Sequence, residues 1–226
     1  MHAQQLPDIT GYRGKLVPHT FSRQPGEASH PGIIFPGMGY TAQMPLLYYA
    51  RRALLAEGAD VMTVERVYAR EQGFLECSPE EQRAWVRADA VAAWKAVISQ
   101  QEYERVTLIG MSLGTWAMAD LLEIDPPSGR AEAIWPTPLL GENCVRQSIV
   151  QWGKRSLFVI GTAAPRYEPS VLEELRRSTG GEVLAVKDAD HSMEIPGQVM
   201  ASIQVLERVI KAVMEFLGTS FPLAPW

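Results

Sequence analysis

From residue 12 onward, short runs rich in apolar and β-branched residues alternate with longer stretches whose apolar positions recur at helical spacing, the pattern of successive parallel βα units. The strand candidates are 13–20, 32–35, 60–66, 105–110, 131–135, 156–161 and 182–187. Runs such as "VTLIG" and "LFVIG" are apolar without alternation, as expected when helices cover both faces of a sheet. The expected fold class is α/β, a doubly wound and mostly parallel sheet with helices on both faces.

The helical stretches carry end signals. Ser78-Pro79-Glu80-Glu81 supplies a capping serine, a proline at the first helical position and an acid three residues beyond the cap, so the pattern predicts a helix over 79–101. A last helix is expected to begin at Pro196, to bury a stripe of Val199, Ile203, Leu206, Ile210, Val213 and Leu217, and to stop at Gly218. The tail "TSFPLAPW" is too rich in proline to continue it. Between the strands at 131–135 and 156–161 there is room for one short helix. With no repeat or long linker, residues 1–226 are expected to form a single domain with no inserted lid.

Composition narrows the chemistry. Of 226 residues 46% are hydrophobic and 21% charged, which suits one domain with a large core. The net charge of −5 comes without any dense Lys/Arg block, against a nucleic-acid or anionic-membrane partner. The start "MHAQQLPDIT" is not leader-like and no run approaches eighteen apolar residues, so a soluble, cytoplasmic protein is expected. Cys77 and Cys144 are too few for a disulfide framework and show no ligand spacing, so no metal is expected. His2, His19 and His30 are read as exposed or turn residues rather than ligands.

One segment carries chemistry. In "RVTLIGMSLGTWAMADLL", Gly110-Met111-Ser112-Leu113-Gly114 lies between a buried strand and a helix, the setting of a G-x-S-x-G nucleophile elbow. A serine needs a base, and the single histidine downstream is His191, between the strand at 182–187 and the last helix. A second loop must offer a backbone N–H to the developing oxyanion. In "GIIFPGMGYTAQM" a strand ends at Phe35 and a Gly37-Met38-Gly39 turn follows, so the donors are assigned to the amides of Met38 and Leu113.

With "FPGMGY", "GMSLG" and "ADHSMEIPG" in this order across residues 12 to 217, the chain resembles the α/β-hydrolase superfamily, in particular its small lidless serine hydrolases of the esterase or dienelactone-hydrolase kind. The resemblance implies serine-dependent hydrolysis of a small-molecule ester, thioester or amide with no cofactor. It also implies an acid after the strand at 156–161, often in a stretch like G-T-x-D-P. Here Gly161-Thr162-Ala163-Ala164-Pro165 stands instead, with Ala164 in the acid's place. A methyl group cannot accept the imidazole N–H or stabilise an imidazolium, so the triad is incomplete and the enzyme impaired.

Glu168 and Asp188 are the substitute acids, against a helix-capping role for Glu168 and a solvated-loop role for Asp188. Asp190, beside His191, and Glu65, on another strand, rank lower. Two other functions stay open: a non-catalytic binding protein derived from a hydrolase, and a dinucleotide-binding protein using Gly37-Met38-Gly39-Tyr40-Thr41-Ala42 as a G-x-G-x-x-A turn. Met38, Tyr40, Met44, Trp116, Trp135 and Trp152 suggest an apolar or aromatic acyl pocket. Oligomeric state is not legible.

Overall fold

A computed structural model of the chain describes residues 2–3, 8–124, 131–152 and 155–218; for His2, Ala3 and Trp152 it describes the backbone only. The strands are β1 (His2–Ala3), β2 (His19–Arg23), β3 (Pro31–Phe35), β4 (Asp60–Val64), β5 (Val106–Gly110), β6 (Ala131–Pro136), β7 (Ser156–Gly161) and β8 (Glu182–Val186). The helices are α1 (Pro45–Ala56), α2 (Pro79–Ile98), α3 (Gly114–Ile124), α4 (Asn143–Trp152), α5 (Pro169–Thr179) and α6 (Val199–Leu217). All eight strands join one sheet in the order β1-β2-β4-β3-β5-β6-β7-β8. The six from β4 to β8 across the sheet run parallel, while β2 pairs antiparallel with β4 and β1 with β2.

The apolar strands are explained by their two covered faces. Ile33, Leu108, Trp135 and Phe158 point to the side packed by α2 to α5, whereas Ile34, Ile109, Ile134 and Val159 point to the side packed by α1 and α6. Period-two alternation is thus present, but both sets are buried and hydropathy alone cannot display it. Because the parallel strands share one direction, the loops after β3, β5, β6, β7 and β8 gather along one sheet edge, where such folds build their sites.

Several boundaries differ from the sequence reading. The first predicted strand, 13–20, becomes β2 at His19–Arg23, with a 3-10 turn at Tyr12–Gly14 and Arg13 at φ 50°. Tyr12 stacks on Trp85 at 4.8 Å and its N–H donates to Asp89, so tertiary contacts hold this stretch out of the sheet. The short β1 carried no sequence signal. The helix at 79–101 is α2, ending at Ile98, and Ser78 accepts the Glu81 N–H as the capping pattern requires.

The expected face of the last helix is also corrected. α6 begins at Val199 rather than Pro196, and it buries Val205, Val209, Val213, Phe216 and Leu217, leaving Val199 and Ile203 in solvent. His30, read as an exposed or turn residue, is 1% exposed at the start of the core strand β3. Residues 219–226, the proline-rich tail, lie outside the described residues.

Candidate active site

Close backbone packing explains the two glycines of the elbow. A Cβ on Gly110 would sit 2.5 Å from the Gly114 carbonyl oxygen, and one on Gly114 would collide with the Phe35 carbonyl, so β3, β5 and α3 approach here as only glycine permits. Between them Ser112 adopts φ 51°, the left-handed region that non-glycine residues avoid. The turn is fixed by Met111 N–H to Phe35 C=O and Ser112 N–H to Pro136 C=O, both 3.2 Å. Such strain costs about 1–3 kcal/mol and persists where its surroundings overdetermine it.

The strained turn presents a half-buried Ser112 at the N-terminus of α3, and its Oγ lies 2.9 Å from His191 Nε2. The structure therefore brings together two residues 79 positions apart that sequence reading had paired by role. Burial lowers the His191 pKa below the ordinary imidazole value; Asp190 opposes this and Arg166 adds to it. The lowered pKa favours the neutral ring, the form in which a ring nitrogen can accept a proton.

The loop after β3 packs directly on the elbow, since a Cβ on Gly37 would stand 3.5 Å from Ser112 Cβ. Neither the Met38 nor the Leu113 N–H has an acceptor among the described residues. One of these amides follows the serine directly in the chain and the other lies on the loop packed against it. The loop is held by Gly37 N–H to Tyr40 C=O and by Ala69 N–H to Met38 C=O, both 2.9 Å.

Behind Ala69 lies a buried ionic brace that sequence reading missed. Arg66 (2% exposed) lies 2.6 Å from Asp89 and 2.8 Å from Glu71, and it also donates to the Leu16 carbonyl. The Nε–Oδ2 approach is a contact ion pair without aligned hydrogen-bond geometry. Asp89 also accepts the Tyr12 N–H and the Tyr68 hydroxyl. The brace was not legible because its members lie on three separate segments, 12–16, 66–71 and the middle of α2.

Ala164, the residue expected in the acid's place, is buried in the core on the side of the sheet packed by α2 to α5. Its loop does reach the histidine loop, through Ala163 N–H to Ala189 C=O at 2.9 Å. Yet among the described residues no carboxylate is hydrogen-bonded to His191. Glu168 is at the N-cap of α5, but its exposed side chain makes no capping bond, contrary to the capping role expected for it. Asp188 is exposed at φ 59°, its N–H donating to Thr162 Oγ1. Asp190 turns its Oδ1 to the N–H groups of Ser192 and Glu194, and Glu65 accepts from Thr20 and Gln43.

Two charges act on His191 through space, Asp190, which raises its pKa, and more weakly a cation. Arg166, two residues past Ala164, acts electrostatically on His191 and pairs with Glu142 at 3.7 Å. No motif announced it. Thr137, after β6, is a second strained residue at this edge: φ 43°, 1% exposed, its hydroxyl unpartnered among the described residues.

Two of the residues expected in an apolar or aromatic pocket belong to the core instead. Trp135 is fully buried with Nε1 donating to Ser156, and Trp116 packs against the core. The Trp152 side chain lies outside the described residues. The dinucleotide reading loses its helix: α1 starts three residues beyond Ala42, and its first residue, Pro45, has no N–H for a phosphate.

No family model matches the sequence, and no curated protein is detectably similar to it. Solved structures are. A serine hydrolase without a lid from Xanthomonas campestris matches with a TM-score of 0.65 at 16% identity, over 99% of this chain and 96% of that one. An esterase from Pyrococcus furiosus matches at 0.67 and 16%, over 96% and 92%. A serine hydrolase homologue from Coxiella burnetii matches at 0.68 and 16%, over 94% and 99%. The chain has the α/β-hydrolase fold, in a single-domain α/β arrangement.

Proposed function

We propose that the protein is a serine hydrolase of small esters, thioesters or amides, with Ser112 as nucleophile and His191 as base. The observation that carries the reading is the 2.9 Å contact between Ser112 Oγ and His191 Nε2 at a strained turn beside two unpaired amides. Ser112 Oγ attacks the substrate carbonyl carbon as its proton passes to His191 Nε2. The carbonyl π pair moves to oxygen, where the Met38 and Leu113 amides and the N-terminus of α3 meet the charge. Collapse expels the leaving group, which takes the proton from His191. Water then attacks the acyl carbon as His191 Nε2 takes its proton, and the second intermediate collapses to the free acid, expelling Ser112 Oγ, which takes the proton back from His191.

Without an acid at position 164 the imidazolium lacks its usual counter-ion, and Arg166 opposes it. Loss of the acid in such triads costs on the order of 10⁴-fold in rate while binding and oxyanion contacts survive. The protein is therefore an impaired esterase. The second reading, a binding protein that no longer turns over, rests on the same alanine.

Ala164→Asp tests the proposal. Ester hydrolysis by this variant is expected to rise by about 10²- to 10⁴-fold, with Ala164→Asn showing little gain. A folded Ala164→Asp variant without gain, beside a parent whose activity falls on Glu168→Gln or Asp188→Asn, would overturn the vacant-acid account.

A further inference from the structure

The first turns of α6 leave a cluster of large apolar side chains in solvent: Val199 at 73%, Met200 at 69% and Ile203 at 51% exposure. Grouped apolar side chains at a helix start are a costly surface unless something covers them. Val199 and Ile203 form one wall of a groove of about 350 Å³, within the range of small-ligand sites. The groove continues through Met193 and Ile195, and Tyr40 and Leu46 face them from the other side. Tyr40 is fixed in place by its hydroxyl, which accepts the Leu46 N–H at 3.0 Å.

The two walls extend the two segments that flank Ser112. Tyr40 lies two residues beyond Met38, and the opposite wall runs from Ser192, next to His191, to the start of α6. No residue of the elbow, of the loop after β6 or of the loop after β7 lines it. Neither Ser112 nor His191 lines it either, but most of its lining comes from residues 192–206, so the groove lies beside the site on the histidine side. In acyl transfer the substituents of the reacting carbon have assigned directions: the oxygen toward the free amides, the leaving atom toward the imidazole that protonates it, and the acyl group toward the remaining side. A groove beside the histidine loop lies on the leaving group's side.

We propose that the groove between α1 and the first turns of α6 binds the apolar alcohol portion of the substrate, an uncharged chain of about ten heavy atoms at about 30 Å³ each. The assignment to the leaving group rests on the reading of Ser112 as nucleophile. The one charged side chain in the lining is Glu194, which excludes an anionic tail. Ser202 is turned inward, bonded to Ile195 and Gln198, and leaves the floor apolar.

The test has a kinetic arm and a binding arm. In the first, kcat/KM is measured for acetates of primary alcohols from methanol to decanol, and for methyl esters of acids over the same lengths. The alcohol series is expected to rise about two- to fourfold per methylene up to about eight carbons, a partial share of full methylene burial, and the acyl series less than twofold. Ile203→Glu is expected to flatten the alcohol series, while Val150→Glu, on the outer surface of α4, does not. A slope in the acyl series that Ile203→Glu abolishes, or an alcohol slope indifferent to that variant, overturns the proposal.

In the second arm, 1-octanol is titrated against Ser112→Ala and the melting temperature followed. A concentration-dependent rise, lost on adding Ile203→Glu, supports an apolar alcohol site even if Ser112 fails to hydrolyse esters, in which case the nucleophile reading alone falls. No response to octanol overturns the groove assignment whatever Ser112 does. A dimer in sedimentation that Ile203→Glu dissociates overturns it too, since a second copy then covers the face.

Discussion

At Ser112 the backbone holds a conformation that serine disfavours, as expected of the proposed nucleophile. Ser112→Gly is accordingly expected to stabilise the fold by up to about 1 kcal/mol in chemical denaturation while abolishing hydrolysis, the usual exchange of activity for stability. His191 must be neutral to accept the serine proton. Because burial and Arg166 lower its pKa, the acid limb of kcat/KM is expected below pH 6.5, the ordinary imidazole value. Arg166→Gln removes one cause and is expected to move that limb upward, as a pH–rate profile will show. Ser112 and His191 were legible because a specific motif fell between a buried strand and a helix, with one histidine left downstream. Ala164 was legible only as a gap in a resemblance. Arg166 carried no signal, since a loop arginine becomes relevant only when folding sets it near a particular imidazole.

The elements that position the site tolerate little change where they touch. Gly114→Ala would push a methyl into the Phe35 carbonyl, and Gly110→Ala would meet the Gly114 carbonyl and Met118, so each is expected to cost several kcal/mol in urea unfolding. The brace behind the oxyanion loop behaves differently. Asp89→Ala leaves the Arg66 cation buried and short of a partner, at about 3–5 kcal/mol, and through Ala69 it loosens the Met38 loop. At this scale the capping box of α2 and the core strands could be read from sequence, because their signals are local. The face of α6 was legible only in part. Val213 and Leu217 are buried as expected and Leu206 and Ile210 pack against the core, but α1 and the sheet also take Val205, Val209 and Phe216 and leave Val199 and Ile203 outside, because the apolar residues populate more than one stripe. The stretch at 13–20 failed for a related reason: Trp85 and Asp89, far along the chain, hold Tyr12 away from the sheet.

Across the whole molecule, one sheet covered on both faces aligns the six loops that follow its parallel strands at a single edge, and the candidate site draws on segments 153 residues apart, between Met38 and His191. The opposite edge carries a pH-sensitive element. His30 is buried with Nε2 unpartnered among the described residues, and burial, aided by Arg105, lowers its pKa to about 4. The unfolded chain binds a proton near pH 6.5 that the folded ring refuses until about pH 4, so this stability is complete above 6.5 and lost as pH falls through that window. Urea midpoints for the parent and His30→Gln are expected to differ most in their slope between pH 6.5 and 4. The central claim is that this edge holds an activated serine despite the missing acid. It is tested most directly by incubating the protein with a fluorophosphonate and locating the adduct by peptide mass spectrometry. The account predicts a single phosphonylated residue, Ser112, absent in Ser112→Ala and slowed by orders of magnitude in His191→Ala. An unmodified Ser112 in the folded parent, or labelling indifferent to His191, would contradict it.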